Sequence, residues 1–276
     1  MKNAVRAITI SGNGTNCEIE TAFAFRLAGA EISDIVHISR IVTGQVNLDD
    51  YHILALAGGF LDGDDLGAAK AMANRVKFAH IAGTDRQLLD AILKFVDDKK
   101  LIIGICNGFQ LMVKIGLLPA LDGAYGMQSV TITNNDSGRF EDRWVRLSVE
   151  TDSPSVFTRG IGRLMFPVRH GEGKFVAPPA VLSAMEAQKL VVLRYADEDY
   201  APTMAYPLNP NGSLSSIAGI CDPTGRLMAL MPHPEGYLFR TQHPTWTRGE
   251  VPAEGMGLMM FRNAVAYIRE TLLDGR

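Results

Sequence analysis

Cysteine is scarce in this 276-residue chain. Cys17, Cys106 and Cys221 are odd in number, far apart and form no CxxC pair. A disulfide framework or a cysteine-rich metal site is not expected, and a reducing compartment is the simpler setting. Positive charge is not in excess either. The 27 Lys and Arg against 30 Asp and Glu leave a net charge of −3, with no sign of the concentrated basic face used by nucleic-acid binders. No apolar run approaches the roughly 18 residues of a membrane-spanning helix. The stretch 1–14 has no long apolar region followed by a small-residue cleavage site, so a signal peptide is not expected and the cytoplasm is the expected location. A GxxxxGK[ST] phosphate loop is missing, and Gly12-Asn13-Gly14 is an incomplete dinucleotide fingerprint because Cys17 stands where its third glycine belongs. Repeats, low-complexity tracts and linkers rich in Pro, Gly or Ser are also lacking, so residues 1–276 are expected to form one domain.

What is present is an alternation of strand and helix patterns. Residues 4–10, 32–38, 53–57 and 101–105 read as strands, and 16–29, 66–78, 85–98 and 107–116 as helices. The first helix carries apolar residues at Ile19, Phe23, Leu27 and Ala30; the third carries a stripe of Leu88, Leu89, Ile92, Leu93 and Val96. The run LIIGI at 101–105 is apolar throughout, as for a strand buried on both faces. Such alternation predicts a mostly parallel α/β sheet. After Pro119 shorter β-like segments appear near 128–133, 143–149, 164–168, 190–195, 214–220 and 227–231, and residues 257–273 close the chain as a helix.

The sharpest local signal is Gly104-Ile105-Cys106-Asn107-Gly108, between the strand 101–105 and the helix 107–116. It fits a nucleophile elbow, a tight strand-to-helix turn on which flanking glycines relieve crowding. Free N–H groups and the positive end of a helix dipole favour an anionic thiolate at such a turn. A thiol nucleophile also needs a base held by a third group. Two pairs compete for this role, His170-Gly171-Glu172 and His233-Pro234-Glu235. In an extended backbone residues two apart project to one side. Pro234 pushes His233 towards that conformation, and the second pair follows a strand at its carboxyl end, which favours His233. The other four histidines (His37, His52, His80 and His243) and the cysteines Cys17 and Cys221 have no comparable setting and read as structural or solvated. Gly58-Gly59-Phe60 follows the strand 53–57. A backbone N–H at Gly59, with that of Asn107, is a candidate oxyanion hole.

Together these residues resemble the class I, triad-type glutamine amidotransferases, and more closely the glutaminase subunit or domain of phosphoribosylformylglycinamidine synthase. The resemblance spans nearly the whole chain through GTNCE (14–18), GGF with GD (58–60, 63–64), GICNGFQLM (104–112), SGRFEDRWV (137–145), RHGEGKF (169–175), YPLNPNGS (206–213), IAGICDPTGR (217–226), MPHPE (231–235) and MFRNA (260–264). It implies a flavodoxin-like open, mostly parallel sheet with helices on both faces and added β segments in the second half. It also implies a triad of Cys106 as nucleophile, His233 as base and Glu235 as orienting acid. By the same resemblance Gly58, Phe60, Gln110, His170, Gly171 and Glu172 belong to the glutamine site, with the His170–Glu172 backbone gripping the substrate carboxylate. Neither a metal nor a cofactor is expected in this chain. ATP and Mg are expected in a partner, the synthetase subunit that aminates formylglycinamide ribonucleotide in purine biosynthesis, with room for a further small subunit. Three places depart from the family pattern: Gly236 for Arg, Leu61-Asp62 for Ser-Tyr, and EGMGLMMF (254–261) where Pro-Trp is usual. The alternatives are another cysteine-dependent α/β hydrolase and a non-catalytic regulatory subunit of the same fold.

Overall fold

The computed structural model describes residues 4–273; the first three residues of the N-terminal stretch and the last three of the chain lie outside it. Short aliphatic runs in the first half form β1 (Arg6–Ser11), β2 (Ile32–His37), β3 (Ile53–Leu56) and β4 (Leu101–Ile105). They alternate with α1 (Glu18–Leu27), α2 (Ile38–Val42), α3 (Lys70–Phe78), α4 (Leu88–Asp97) and α5 (Asn107–Lys114). The second half adds β5 (Thr131–Thr133), β6 (Glu141–Val149), β7 (Arg163–His170), β8 (Lys174–Val176), β9 (Val191–Ala196), β10 (Ile217–Cys221) and β11 (Leu227–Leu230). Its helices are α6 (Pro179–Ala187) and α7 (Gly257–Ile268).

Nine strands make one sheet in the order β2-β1-β3-β4-β11-β10-β9-β6-β7, and β5 pairs with β8 apart from it. From β2 to β11 the neighbours are parallel; from β11 to β7 they are antiparallel. The parallel half has flavodoxin-like order, in which the chain reverses direction across the sheet between β1 and β3 and opens a crevice at the strands' carboxyl ends. Every residue of β3, β4 and β11 is buried. Each aliphatic side chain so buried contributes about 1.5–3 kcal/mol relative to exposure, which makes these strands a stiff base for whatever follows their ends.

Helices and strands fall close to their expected positions, with differences that have local causes. α4 starts at Leu88 because the Asp90 carboxylate accepts the Gln87 N–H at 2.8 Å, and its stripe buries Leu88, Ile92 and Val96 as expected, with Leu89 and Leu93 only half-buried. The apolar positions read for α1 do not mark its buried face: Ile19, Phe23 and Leu27 are exposed, Ile19 by 64 %, and only Ala30 of the four is buried, while Thr21, Ala22, Ala24 and Phe25 turn inward. Small residues let α1 sit close to the sheet, and Phe25 meets Phe261 of α7 edge-on at 4.9 Å between ring centroids. Packing of the small face against two neighbours outweighs the larger but isolated apolar stripe. β8 and α6 fall in a segment, 174–187, with no clear period, and Pro178 and Pro179 open α6 where a proline ring suits the first turn.

Candidate active site

The ends of β1, β3, β4, β7 and β11 converge on one cavity of about 260 Å³. At its centre is Cys106, the residue between β4 and α5. Its φ of 51° and ψ of −103° lie outside the regions open to ordinary L-residues. Such a conformation costs on the order of 1–3 kcal/mol and persists because its surroundings hold it. The Cys106 N–H donates to Leu230 O at 2.8 Å, extending the ladder between β4 and β11, and its carbonyl accepts the N–H groups of Phe109 (2.9 Å) and Gln110 (3.2 Å). Gly108 is required at the turn: a Cβ there would lie 2.0 Å from Leu56 O of β3. The thiol, 3.7 Å from Arg169 O, is turned towards β7.

β11 delivers His233 beside this thiol. The His233 backbone is extended (φ −107°, ψ 93°) ahead of a single 3₁₀ turn, Pro234–Gly236, and its N–H donates to Pro167 O at 2.9 Å. Nδ1 lies 2.5 Å from Glu235 Oε1, with both side chains at most 2 % exposed. Nε2 has no hydrogen-bond partner among the described residues. Burial by itself would lower the imidazole pKa, but the Glu235 carboxylate and the thiols of Cys106 and Cys17 outweigh it and hold the ring well above the usual histidine value. The second His-x-Glu pair is not a pair at all. His170 Nδ1 meets Asn135 Oδ1 at 3.1 Å, and Glu172 turns away to accept the Ala68 N–H at 3.2 Å on each oxygen. Burial, with His233 nearby, pushes the His170 pKa down to about 4. The two imidazoles of one cavity are thereby driven to opposite charge states.

Behind the cavity wall a chain of hydrogen bonds ties three loops together. Leu61 N–H donates to Asn107 Oδ1 (3.1 Å), Asn107 Nδ2 to Gln110 Oε1 (2.9 Å), and Gln110 Nε2 to Glu172 O (2.6 Å). Gln110, expected to touch a ligand, lines the cavity with both ends of its amide engaged, Oε1 by Asn107 of the same helix and Nε2 by the loop after β7. Gly58 and Gly59 sit where any side chain would collide. A Cβ on Gly58 would be 2.9 Å from His233 Cε1, and Gly59, at φ +140°, would meet Gly14 O at 2.7 Å. Gly12-Asn13-Gly14 braces this loop, with Phe60 N–H donating to Gly14 O at 2.8 Å and Asp62 N–H to Asn13 O at 2.8 Å. These glycines, an incomplete dinucleotide fingerprint in the sequence, therefore serve packing.

Of the expected residues, Cys106, His233, Gly59, Phe60, Gln110, His170, Gly171 and Glu172 line the cavity, while Gly58, Asn107 and Glu235 stand behind it. The lining also includes Asn16, Cys17, Asp64, Phe140 and Arg169. Cys17 reads as structural in the sequence; the fold sets it in the cavity wall, because the loop after β1 folds over β3 and both Asn16 N–H and Cys17 N–H donate to Gly58 O. Its presence in the matched GTNCE segment was the available signal. Asp64 is raised in pKa by burial and by Glu172, against the pull of Lys114. Cys17 Sγ and ligand atoms of His233 and Glu235 lie within 4.8 Å of one another; an ion there would compete with the His233–Glu235 hydrogen bond. The departures from the family pattern leave the triad geometry intact. Leu61 is buried, Asp62 pairs with Arg75 at 3.2 Å, and a Cβ on Gly236 would press on Pro167 Cγ at 2.9 Å. Among the described residues no helix is long and apolar enough to cross a membrane.

Over residues 4–268 the chain matches the CobB/CobQ-like glutamine amidotransferase domain. It is 44% identical over 268 residues to the phosphoribosylformylglycinamidine synthase subunit PurQ of Dehalococcoides mccartyi, covering 96% of this chain and 98% of that one. It is 40% identical over 283 residues to the subunit of the same name from Methanococcus maripaludis, covering 98% and 100%. Among solved structures it is similar to a chain of PurLQS from Thermotoga maritima, with a TM-score of 0.67, 28% identity and coverage of 96% and 99%. With an elbow cysteine, a carboxylate-bound histidine and this likeness along its length, the chain belongs to the CobB/CobQ-like glutamine amidotransferase family, and within it to the PurQ subunits of phosphoribosylformylglycinamidine synthase.

Proposed function

We propose that the chain is the glutaminase subunit of a phosphoribosylformylglycinamidine synthase, hydrolysing L-glutamine to glutamate and ammonia. The ammonia passes to a synthetase subunit that converts formylglycinamide ribonucleotide to formylglycinamidine ribonucleotide in purine biosynthesis. The observation that carries this reading is the strained Cys106 in one cavity with His233, whose other nitrogen is held at 2.5 Å by Glu235. Cys106 Sγ attacks the carboxamide carbon as the thiolate of an ion pair whose proton is already on His233 Nε2; Glu235 stabilises that imidazolium and fixes its orientation. Backbone N–H groups of Gly59 and Asn107 receive the oxyanion, and losing one such donor typically costs about 2.7–4 kcal/mol of transition-state stabilisation. His233 returns the proton to the departing nitrogen, then draws one from water as that water attacks the γ-glutamyl thioester.

The substrate's α-carboxylate fits the loop after β7. The carbonyls of His170, Gly171, Glu172 and Gly173 already accept from Asn135, Gln110, Asn211 and Ser213, so N–H groups are what the loop has left to offer. Phe60 lines the same cavity, with Gly58 behind it. The half-reaction assigned to this chain runs on thiol, imidazole, carboxylate and water; ATP and Mg²⁺ act in the synthetase half. The PurLQS assembly similar to this chain supports a PurL-type synthetase as partner, with a further small subunit beside it. One sheet running through the chain supports a single domain, and three unpaired cysteines fit the cytoplasm. Co-purification with the synthetase, followed by parallel amination assays, tests the proposal. Cys106→Ala is expected to abolish glutamine-dependent amination and to leave ammonia-dependent amination intact; normal ammonia production from glutamine by that variant would refute it.

A further inference from the structure

Two thiols, not one, act on the imidazole of His233. Cys17 and Cys106 both line the cavity and both keep some exposed surface, 6 % and 5 % respectively. Cys17 Sγ, Cys106 Cβ and His233 Cε1 all lie within 3.5 Å of one point, the place where a Cβ on Gly58 would stand. Because position 58 is glycine, no side chain of that loop stands between the two sulfurs. The backbone fixes their approach. Asn16 N–H and Cys17 N–H donate to Gly58 O at 3.3 and 3.2 Å, and the Cys106 N–H donates to Leu230 O at 2.8 Å.

The two sulfurs differ in kind. In the mechanism above Cys106 is the thiolate of an ion pair with His233, and a thiolate is the form that reacts with oxidants as well as with acyl groups. Cys17 is a thiol: its Sγ donates to Asn16 Oδ1 at 3.3 Å, and it lies within 4.8 Å of ligand atoms of His233 and Glu235. A base is therefore at hand for its proton. Cys221 has neither feature. It is fully buried, its Sγ rests against Ser153 Oγ at 3.4 Å, and burial pushes its thiol up to about 12, which makes it an inert thiol in the same chain. A reactive thiolate with a second thiol alongside is the arrangement in which oxidation is captured as a disulfide instead of continuing to sulfinic acid.

We propose that Cys17 is a resolving cysteine: oxidation of Cys106 by a peroxide is captured as a Cys17–Cys106 disulfide, which shuts the site reversibly and spares the nucleophile from irreversible oxidation. The Cys106 thiolate attacks one oxygen of hydrogen peroxide and the O–O bond breaks. The departing hydroxide takes the proton of the His233 imidazolium and leaves as water. Neutral His233 then takes the Cys17 proton as Cys17 Sγ attacks the sulfenic sulfur of Cys106. The S–O bond breaks, and the second hydroxide recovers that proton as water. The two sulfurs together give up two electrons, and one peroxide accepts them. A thiol reductant returns both cysteines, so in a reducing compartment the bond is transient, lasting while peroxide outruns reductant. Formation of the bond does not depend on the glutaminase reading; its effect on glutamate release does.

The test treats the chain, assembled with its synthetase, with hydrogen peroxide and divides each sample between a glutamate-release assay and a tryptic map run without reductant. In the wild type, peptides 7–26 and 101–114 are expected to be joined, at a mass about 2 Da below their sum. Glutamate release is expected to fall and to return to at least about 80 % of its starting value with dithiothreitol. Cys17→Ser is measured against its own untreated activity. It is expected to stay below about 20 % after dithiothreitol, with about 32 Da added at Cys106 as sulfinic acid, located by fragmentation because Met112 shares the peptide. A wild-type map in which Cys106 is oxidised but never joined to Cys17 overturns the proposal, as does a Cys17→Ser variant that recovers as fully as wild type. The wild-type map needs no substitution, so it decides even where the variant fails to fold. A complex that releases no glutamate before oxidation refutes the glutaminase reading, and the map still judges the disulfide.

Discussion

Replacing Gly108 by Ala adds one methyl group at the point where α5 leaves the nucleophile elbow. The new Cβ would stand 2.0 Å from Leu56 O and 2.8 Å from Leu56 C, both main-chain atoms of β3. Reaching an ordinary 3.4 Å contact requires β3 and the start of α5 to separate by about 1.4 Å. No flexible side chain can absorb that movement. Helix propensity pulls the other way, since Ala is favoured over Gly by about 0.8–1 kcal/mol in a helix interior, but overpacking a close-packed site typically costs about 1–3 kcal/mol. The collision wins. Its functional cost is larger than its cost in stability, because β3 leads to Gly59 and α5 begins at Asn107, the two proposed oxyanion donors. Moving a reacting group by about 1 Å costs on the order of 10²-fold in rate. The assay is kcat/KM for glutamine hydrolysis in the complex, with ammonia-dependent amination as the check on assembly and thermal melting as the check on folding. Gly162→Ala is the control, since a Cβ there meets nothing within 4 Å and needs no unusual backbone. Gly108→Ala activity within threefold of wild type, at about equal stability, would refute the reasoning.

Glu235→Gln replaces the strongest attraction on the His233 ring with a neutral amide, so the imidazole pKa should fall and glutamine hydrolysis should drop by roughly 10–100-fold, as for loss of a charged hydrogen bond; an unchanged pH–rate profile would contradict this. His170 binds its proton less well in the folded chain, with a pKa near 4 against 6.5 for an ordinary histidine. It therefore contributes stability that is present above pH 6.5 and lost as pH falls towards 4, about 3 kcal/mol over that window. Urea unfolding across the window should show a steeper pH slope for wild type than for His170→Asn, and identical slopes would count against the shift. Cys17→Ala should still form a γ-glutamyl thioester on Cys106, detected as labelled acyl-enzyme by mass spectrometry, whereas Cys106→Ala should form none; a label on Cys17 would reverse the assignment. Asp222, fully buried, accepts from Tyr125 Oη (2.7 Å), Thr224 Oγ1 (2.6 Å) and Leu227 N (2.9 Å). Its replacement by Ala leaves those donors unmet and should cost several kcal/mol by denaturant titration.

The primary structure was enough to place β4, α5 and the turn between them, because an all-apolar pentapeptide, two glycines and a following helical period are signals contained within about a dozen neighbouring residues. For His233 and Glu235 the local pattern favoured the pair, because Pro234 extends the backbone and a spacing of two can bring carboxylate to imidazole, but only the family resemblance chose it over His170 and Glu172. What the chain order could not reveal was decided by packing between segments distant in sequence. α1 turns Phe25 rather than Ile19 inward because α7, more than 200 residues later, supplies Phe261 to meet it. Cys17 enters the cavity wall because the loop after β1 is hydrogen-bonded onto the end of β3. His170 and His233 look alike as His-x-Glu pairs, yet one is held neutral by Asn135 and burial and the other charged by Glu235. Local patterns encode dihedral preference and facing; the charge state of a buried ring and the company of a buried thiol depend on neighbours that only the folded sheet brings within reach.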